Sequence, residues 1–408
     1  MQARAPDTPR ISRATGFLMK LAKALHTYGM PSHRLEVALQ QVSERMEVES
    51  QFVVTPTSIT GSVGPTEAAQ TTLVRLQPGR VNLEKQSELH SLIGDVCARR
   101  LTLEQGGERL DALVTRPPIH GPLATVAAFG LASAAAAVFF DGGRAEAATA
   151  GVIGLVLGLL VQVAARAPRF AMVMPGAAGL AGVLITGLMQ AALGPMVGFI
   201  PTLAGLIILI PGLGLTIAVN ELAHGHLVSG TARLGGAMMT FLQIAFGVAL
   251  GTKMVAFLDG AGLDRPESLP LWVLPLALLV SALAMTVLFR ARPKDLPFVL
   301  LAATVSFTSS RLGTLEFGPE LGVLLGAWLL GMLGHLLGRW RNEPSALAIL
   351  PGMLLLVPGG LGFTSLSSLL ANDIVSGIQA GFTMLLIALS LVTGLMLASI
   401  TSRSYARF

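Results

Sequence analysis

From about Leu123 to the end of the chain, apolar residues run in long blocks separated by short polar or glycine–proline breaks. A block of roughly 20 residues crosses the hydrocarbon core of a bilayer as a helix. On that requirement about ten spans are predicted, near residues 123–140, 146–164, 170–190, 197–215, 227–257, 270–289, 294–311, 318–337, 345–361 and 374–400. Residues 1–118 have a different pattern. "ISRATGFLMKLAKALHTYG" carries helical apolar spacing and stops at Gly29, and "PSHRLEVALQQVSERM" opens with Pro31 and Ser32 as a helix start. "SQFVVTPTSITGSV" and "QTTLVRLQ" alternate and are β-branched, the mark of strands, and two further helices follow in "NLEKQSELHSLIGDVCARR" and "LTLEQGGERLDALV". The expected architecture is an α-helical polytopic membrane protein of about ten helices, preceded by a soluble α/β domain and joined to it by the linker "TRPPIHGP" at 115–122.

The apolar part repeats itself. At a shift of 147 positions, Pro211-Gly212 falls on Pro358-Gly359 and Val228-Ser229-Gly230 on Val375-Ser376-Gly377. At the same shift Phe170 meets Phe317, and Gly179, Gly187 and Gly247 meet Gly326, Gly334 and Gly394. Two modules result, 119–262 and 263–408, each with five predicted spans. An odd number of spans makes the second module enter the membrane upside down relative to the first, the inverted-repeat arrangement of secondary transporters.

Composition and charge sharpen this picture. Of the 408 residues 52% are hydrophobic and 12% charged, about half the charged share of a soluble domain, and 46 glycines suit close helix packing in lipid. Residues 1–118 hold 14 of the 28 basic residues and 12 of the 23 acidic ones. Cys97 is the sole cysteine, which excludes an intramolecular disulfide framework, and it is expected as a small buried hydrophobe. The N-terminus lacks the apolar run of a secretory signal. Arginines and lysine gather in the loops at 166–169, 290–294 and 339–341 and in the tail at Arg403 and Arg407, so both termini are expected in the cytoplasm. Trp272 and Trp340 suit interfacial anchors on opposite sides.

Candidate chemistry concentrates at the two breaks. Pro211-Gly212 and Pro358-Gly359 interrupt apolar helices, and irregular backbone at membrane depth must face protein or a water-filled cavity. After the first break come Thr216, Asn220, Glu221, His224 and His226, then Ser229 and Arg233; after the second come Asn372, Asp373 and Ser376, so Glu221 and Asp373, each shortly before a Val-Ser-Gly, are expected as matching carboxylates. Intramembrane ionisable groups mark functional sites, and Glu221, His224, His226 and Asp373 are the candidates for carrying a coupling proton. The competing readings are an ordinary wetted loop for the Asn220–His226 stretch and an interfacial anchor for Arg233. One H-x-H is a weak metal signal, so no metal is expected. The Thr304–Ser310 run could line a polar path or bond its own helix. No P-loop and no G-x-G-x-x-G is present, and "Ser32-His33-Arg34" is no hydrolase motif. A non-enzymatic carrier without cofactor or nucleic-acid partner is therefore expected.

"YGMPSHRLEVALQQV", then "VTPTSI", then "IPGLGLTIAVNELAHGHLVSGTARL", with "LVPG" at 356–359 in the second half, resembles the threonine/serine exporter family in its fused two-module form. The resemblance covers nearly the whole chain. It implies efflux of threonine or serine across a bacterial inner membrane, driven by an ion gradient with H+ the expected coupling ion, by a multi-pass protein compatible with a homo-oligomer. His226 departs from the pattern, since family members often carry an acid there. The same modules as separate chains resemble a succinate carrier, so a dicarboxylate exporter is the alternative, and a scaffold or sensor working through the soluble domain is the third reading.

Overall fold

The computed structural model describes residues 8–402 apart from 66, 68, 78, 257–265, 358 and 371. The N-terminal part builds α1 (Thr8–Thr27) and α2 (Ser32–Arg45), then β1 (Ser50–Val54), β2 (Ser58–Val63) and β3 (Gln70–Arg75), then α3 (Leu83–Cys97) and α4 (Leu103–Thr115). The strands form one antiparallel sheet in the order β1-β2-β3, with Phe52 opposite Gly61 and Ser58 opposite Arg75. Local chemistry starts each helix. Pro31 lies in the extended region ahead of α2, Asn82 Oδ1 accepts from the Lys85 amide at 3.0 Å to open α3, and Thr102 and Gln105 close a capping box on α4. One apolar core joins all of these elements, from Phe17, Leu18 and Leu25 through Leu35, Leu39 and Ile59 to Leu89, Leu92 and Leu110. Cys97 is half-buried against it.

The first apolar half contains α5 (Pro122–Phe139), α6 (Arg144–Arg166), the short α7 (Pro168–Ala171), α8 (Met174–Leu193), α9 (Phe199–Leu206), α10 (Gly212–Ala223) and α11 (Leu227–Val255). The second contains α12 (Val273–Leu288), α13 (Leu296–Phe317), α14 (Pro319–Arg341), α15 (Ala346–Leu354), α16 (Gly359–Leu370) and α17 (Ile374–Thr401). Among the described residues eight segments are long and apolar enough to cross a membrane: α5, α6, α8, α11, 293–317, α14, 346–369 and α17. The spans expected at 197–215 and 270–289 are shorter in the structure. The first is split into α9 and α10, and the second is the 16-residue α12.

Small residues set the helix spacing. A Cβ at Gly154 would come within 2.5 Å of the Phe129 carbonyl, and one at Gly158 within 2.8 Å of Val126 Cα, so the α5–α6 hairpin closes only with glycine at those points.

The breaks repeat in detail. Helices α9, α10 and α11 start at 199, 212 and 227; α15, α16 and α17 start at 346, 359 and 374, each 147 positions later. The turns that follow α10 and α16 match as well. Gly225 has φ +80° and Asn372 φ +63°, the His226 amide donates to the Glu221 carbonyl at 2.9 Å, and the Asp373 amide donates to the Ser368 carbonyl at 2.9 Å. The left-handed turn is why glycine or asparagine stands at that position. Register thereby pairs Asp373 with His226, and Glu221 with Ser368; the expected pairing of Glu221 with Asp373 is replaced. The two breaks also touch. A Cβ on Gly212 would collide with Val357 Cγ1 and lie 3.4 Å from Gly359 Cα, while one on Gly359 would lie 2.9 Å from Ile210 Cγ2. Ile210 and Val357 hold equivalent places, so the contact is reciprocal, as across a two-fold axis.

Candidate functional site

The N-terminal domain sits on one end of the helices and reaches them in two places. At α3, the Leu83 and Glu84 amides donate to the Phe289 and Arg290 carbonyls at 2.9 and 3.1 Å, and the Ser87 hydroxyl bonds Glu343. Arg292 holds Glu343 at 2.6 Å and Asp295 at 2.8 Å beneath that contact. The His120 Nε2–H donates to the Ala291 carbonyl at 2.9 Å from the linker. A small cavity of about 50 Å³ lies alongside, lined by Arg34, Gln86 and His90 from the domain and Ala346, Ile349 and Leu350 from α15. At the far end of α5, Gly143 packs on the Glu267 main chain. The loops near 224, 290 and 343 thus share one end of the helices with the domain, and those near 143 and 267 share the other.

The second contact is centred on Glu221, which is wholly buried in the last turn of α10. An ionised carboxylate so placed is strongly destabilised unless donors surround it. Three do. The Ser32 amide donates to Oε1 at 2.9 Å, and the Ser229 hydroxyl and Arg233 Nε donate to Oε2 at 2.7 and 3.0 Å. Because the Ser229 proton goes to Glu221, the 2.7 Å contact between the Ser32 and Ser229 hydroxyls has Ser32 as donor. Ser229 and Arg233 are one helical turn apart on α11, which turns both towards Glu221. The break supplies the geometry: α10 ends at Ala223, a three-residue turn follows, and α11 runs back past Glu221.

Histidines ring this contact. His33 stacks on His224 with ring centroids 4.6 Å apart, and His226, at the N-cap of α11, lies 6.2 Å from His33 and 3.6 Å from Glu36 Oε2. Glu36 Oε1 accepts from the Val54 amide at 2.9 Å, tying the ring to the sheet. Burial, with the charges of His224, Arg34, His226 and Arg233 added, pushes the His33 pKa down to about 3. Burial moves Glu36 the other way, above the usual carboxylate range.

Docking is consequently sensitive to acid. Released into water, His33 returns to about 6.5. The docked state therefore binds the His33 proton more weakly than the released state. Docking is at full strength above pH 6.5 and weakens by up to about 1.4 kcal/mol per unit as pH falls from 6.5 towards 3. Glu36, whose pKa is raised on docking, favours the docked state as it takes up its proton and so opposes this trend as pH falls through its own titration. Amide hydrogen exchange at Ser32–Glu36, corrected for intrinsic pH dependence, is expected to lose protection between pH 7.5 and 5.5 in the wild type. A His33→Asn variant is expected to show a flat profile, and equal profiles would contradict the linkage.

The remaining sequence candidates fall into place as follows. Pro211 precedes α10 and Gly212 opens it at the crossing of the breaks. Thr216 is buried and gives its hydroxyl to the Gly212 carbonyl at 3.1 Å, within its own helix. Asn220 offers its carbonyl to His224 Nδ1 at 2.8 Å. Gly359 faces Ile210, and Pro358 lies outside the described residues. Asn372, Asp373 and Ser376 are exposed, and Asp373 Oδ1 caps α17 by accepting from the Ser376 amide at 3.2 Å. Among the described residues Asp373 makes no hydrogen bond or ion pair with the Glu221 group. In the Thr304–Ser310 run, Thr308 and Ser309 bond carbonyls of their own helix, at Thr304 and Val305. No group of three or more metal-ligating side chains occurs among the described residues. Ser32 is the member of the site that sequence reasoning missed. Its one visible signal was a helix start, which explained the Pro31-Ser32 pair without reference to a residue 189 positions away.

A family sequence model described as "Putative threonine/serine exporter" matches residues 16–255, and one described as "Threonine/Serine exporter, ThrE" matches residues 275–401. Among curated proteins the chain is similar to fungal proteins named pheromone-regulated membrane protein 10. It is 26% identical to that of Candida albicans over 87% of this chain and 33% of the relative. It is 26% identical to that of Debaryomyces hansenii over 87% and 36%, and 25% identical to that of Eremothecium gossypii over 93% and 55%. The chain thus spans between a third and about half of the length of these relatives. No solved structure matches. Eight apolar segments of membrane-crossing length among the described residues, and two family matches that together run from residue 16 to 401, lead to one assignment: the chain is a multi-pass membrane protein that belongs to the threonine/serine exporter family.

Proposed function

We propose that the chain is a secondary exporter of threonine and serine, driven by the proton gradient and working by alternating access around the two breaks. The observation that carries this reading is the Glu221, Ser229 and Arg233 group, which stands where α10 turns into α11. A zwitterion with a hydroxyl needs an anion for its ammonium, a cation for its carboxylate and a polar partner for its hydroxyl, and this group contains all three. A buried carboxylate also suits proton coupling, with His224 and His226 beside it. The matching starts of α9–α11 and α15–α17 and the reciprocal Gly212–Gly359 contact support two inverted modules that move against each other. On this reading the basic loops under the soluble domain face the cytoplasm, and the Gly143–Glu267 end faces out.

Counterflow in proteoliposomes loaded with unlabelled threonine, and in a parallel set loaded with unlabelled succinate, tests the substrate. Labelled threonine and serine are expected to accumulate transiently and labelled succinate to remain outside. Succinate counterflow without threonine counterflow would replace the amino-acid reading with a dicarboxylate one.

A further inference from the structure

Ser32 does something at the site that its own domain does not need. It opens α2, yet its side chain caps nothing in that helix. Both of its polar groups cross to the membrane part instead, the amide to Glu221 and the hydroxyl to Ser229. All three residues are sealed from solvent, with Ser32 and Glu221 at 0% and Ser229 at 2% exposure. A serine unit is therefore held with its nitrogen on a carboxylate and its hydroxyl on a hydroxyl, at 2.9 and 2.7 Å.

We propose that Ser32 is a built-in mimic of the cargo, seated in the subsite that receives free serine or threonine. The inference rests on the exporter reading and assigns the contacts within it. The α-ammonium takes the place of the Ser32 amide on Glu221 Oε1, and the β-hydroxyl takes the place of Ser32 Oγ on Ser229. The α-carboxylate replaces the Ser32–His33 peptide, on the side where His33 now lies against His224. Arg233, already fixed by one donor on Glu221, has further guanidinium N–H groups to offer a carboxylate. A free ammonium is charged where the peptide amide is neutral, so cargo makes the stronger bond to Glu221 and displaces the mimic by competition. Ser229 becomes the residue that selects hydroxy amino acids. A site that bonds a substrate hydroxyl rejects the analogue lacking it, here because the acceptor side of Ser229 Oγ is then left without a donor.

Two variants of the full chain in proteoliposomes test this, with labelled serine and alanine as probes. The wild type is expected to prefer serine over alanine by at least about tenfold, and Ser229→Ala to bring that ratio towards one. Ser32→Pro removes both contacts of the mimic at a first helical position, where proline is tolerated. It is expected to lower the half-saturating serine concentration severalfold by removing the competitor. An unchanged serine-to-alanine ratio in Ser229→Ala, or an unchanged half-saturating concentration in Ser32→Pro, overturns the mimic while leaving amino-acid export standing. Absence of serine transport in the wild type overturns the exporter reading and the mimic with it.

Discussion

Replacing Glu221 with glutamine is expected to lower threonine export by at least about tenfold at near wild-type abundance in the membrane. A charge-assisted contact is worth roughly 1.5–3 kcal/mol, and about 1.4 kcal/mol is a factor of ten. Glutamine keeps the shape of the side chain and one carbonyl acceptor. Its amide can satisfy the Ser32 amide or the Arg233 and Ser229 side, but not both, since one end now presents N–H donors to donors. The loss falls on the ammonium partner and on the group that would take up the coupling proton. Asp373→Asn is the contrasting case. That carboxylate is exposed and caps α17, and asparagine is an equally good cap, so export is expected to change little. Export of labelled threonine from preloaded vesicles, normalised to immunoblotted protein, separates the two. Equal rates for Glu221→Gln and the wild type would place the site elsewhere.

Much of the architecture was legible in the pattern of the chain. Long apolar blocks gave the membrane helices because backbone in lipid has to satisfy its own hydrogen bonds. The N-terminal elements followed from period and from the helix start at Pro31, and the structure adds the caps at Asn82 and Thr102. The shift of 147 positions found the breaks, and the structure adds that Gly212 and Gly359 meet. Two things were hidden. The acid after each break suggested a symmetric pair, whereas register sets Asp373 against His226 and Ser368 against Glu221, so the buried carboxylate belongs to one half alone. Distance from a Val-Ser-Gly motif could not show this, because Glu221 lies within α10 and Asp373 at the cap of α17. The docking of the N-terminal domain was hidden as well. A contact between residues 32 and 221 leaves no periodic trace, and each partner has a sufficient local explanation, a helix start for Ser32 and a polar turn for Glu221. The same holds for Lys85. Nothing in the sequence marks it out, yet it is buried and donates to the Tyr28 hydroxyl and to the Val114 and Arg116 carbonyls.

Locking the N-terminal domain in place is expected to stop transport, since on the proposed reading the cargo subsite and the Ser32 contact are the same pocket. The two hydroxyls stand 2.7 Å apart, so thiols placed at both positions meet each other. Replacing Cys97 with serine removes the native thiol and leaves the introduced pair alone. The cross-link fixes α2 against α11 and keeps Glu221 occupied, which no concentration of cargo can reverse. The effect should exceed that of any single substitution, because a covalent tether removes the competition altogether. The measurement is labelled serine export by the Ser32→Cys, Ser229→Cys, Cys97→Ser chain in proteoliposomes, oxidised and then reduced, with the cross-link verified by mass spectrometry. Export is expected to be abolished on oxidation and restored by reductant to the rate of the same chain never oxidised; export at that rate by a fully cross-linked chain would contradict a cargo site at Glu221.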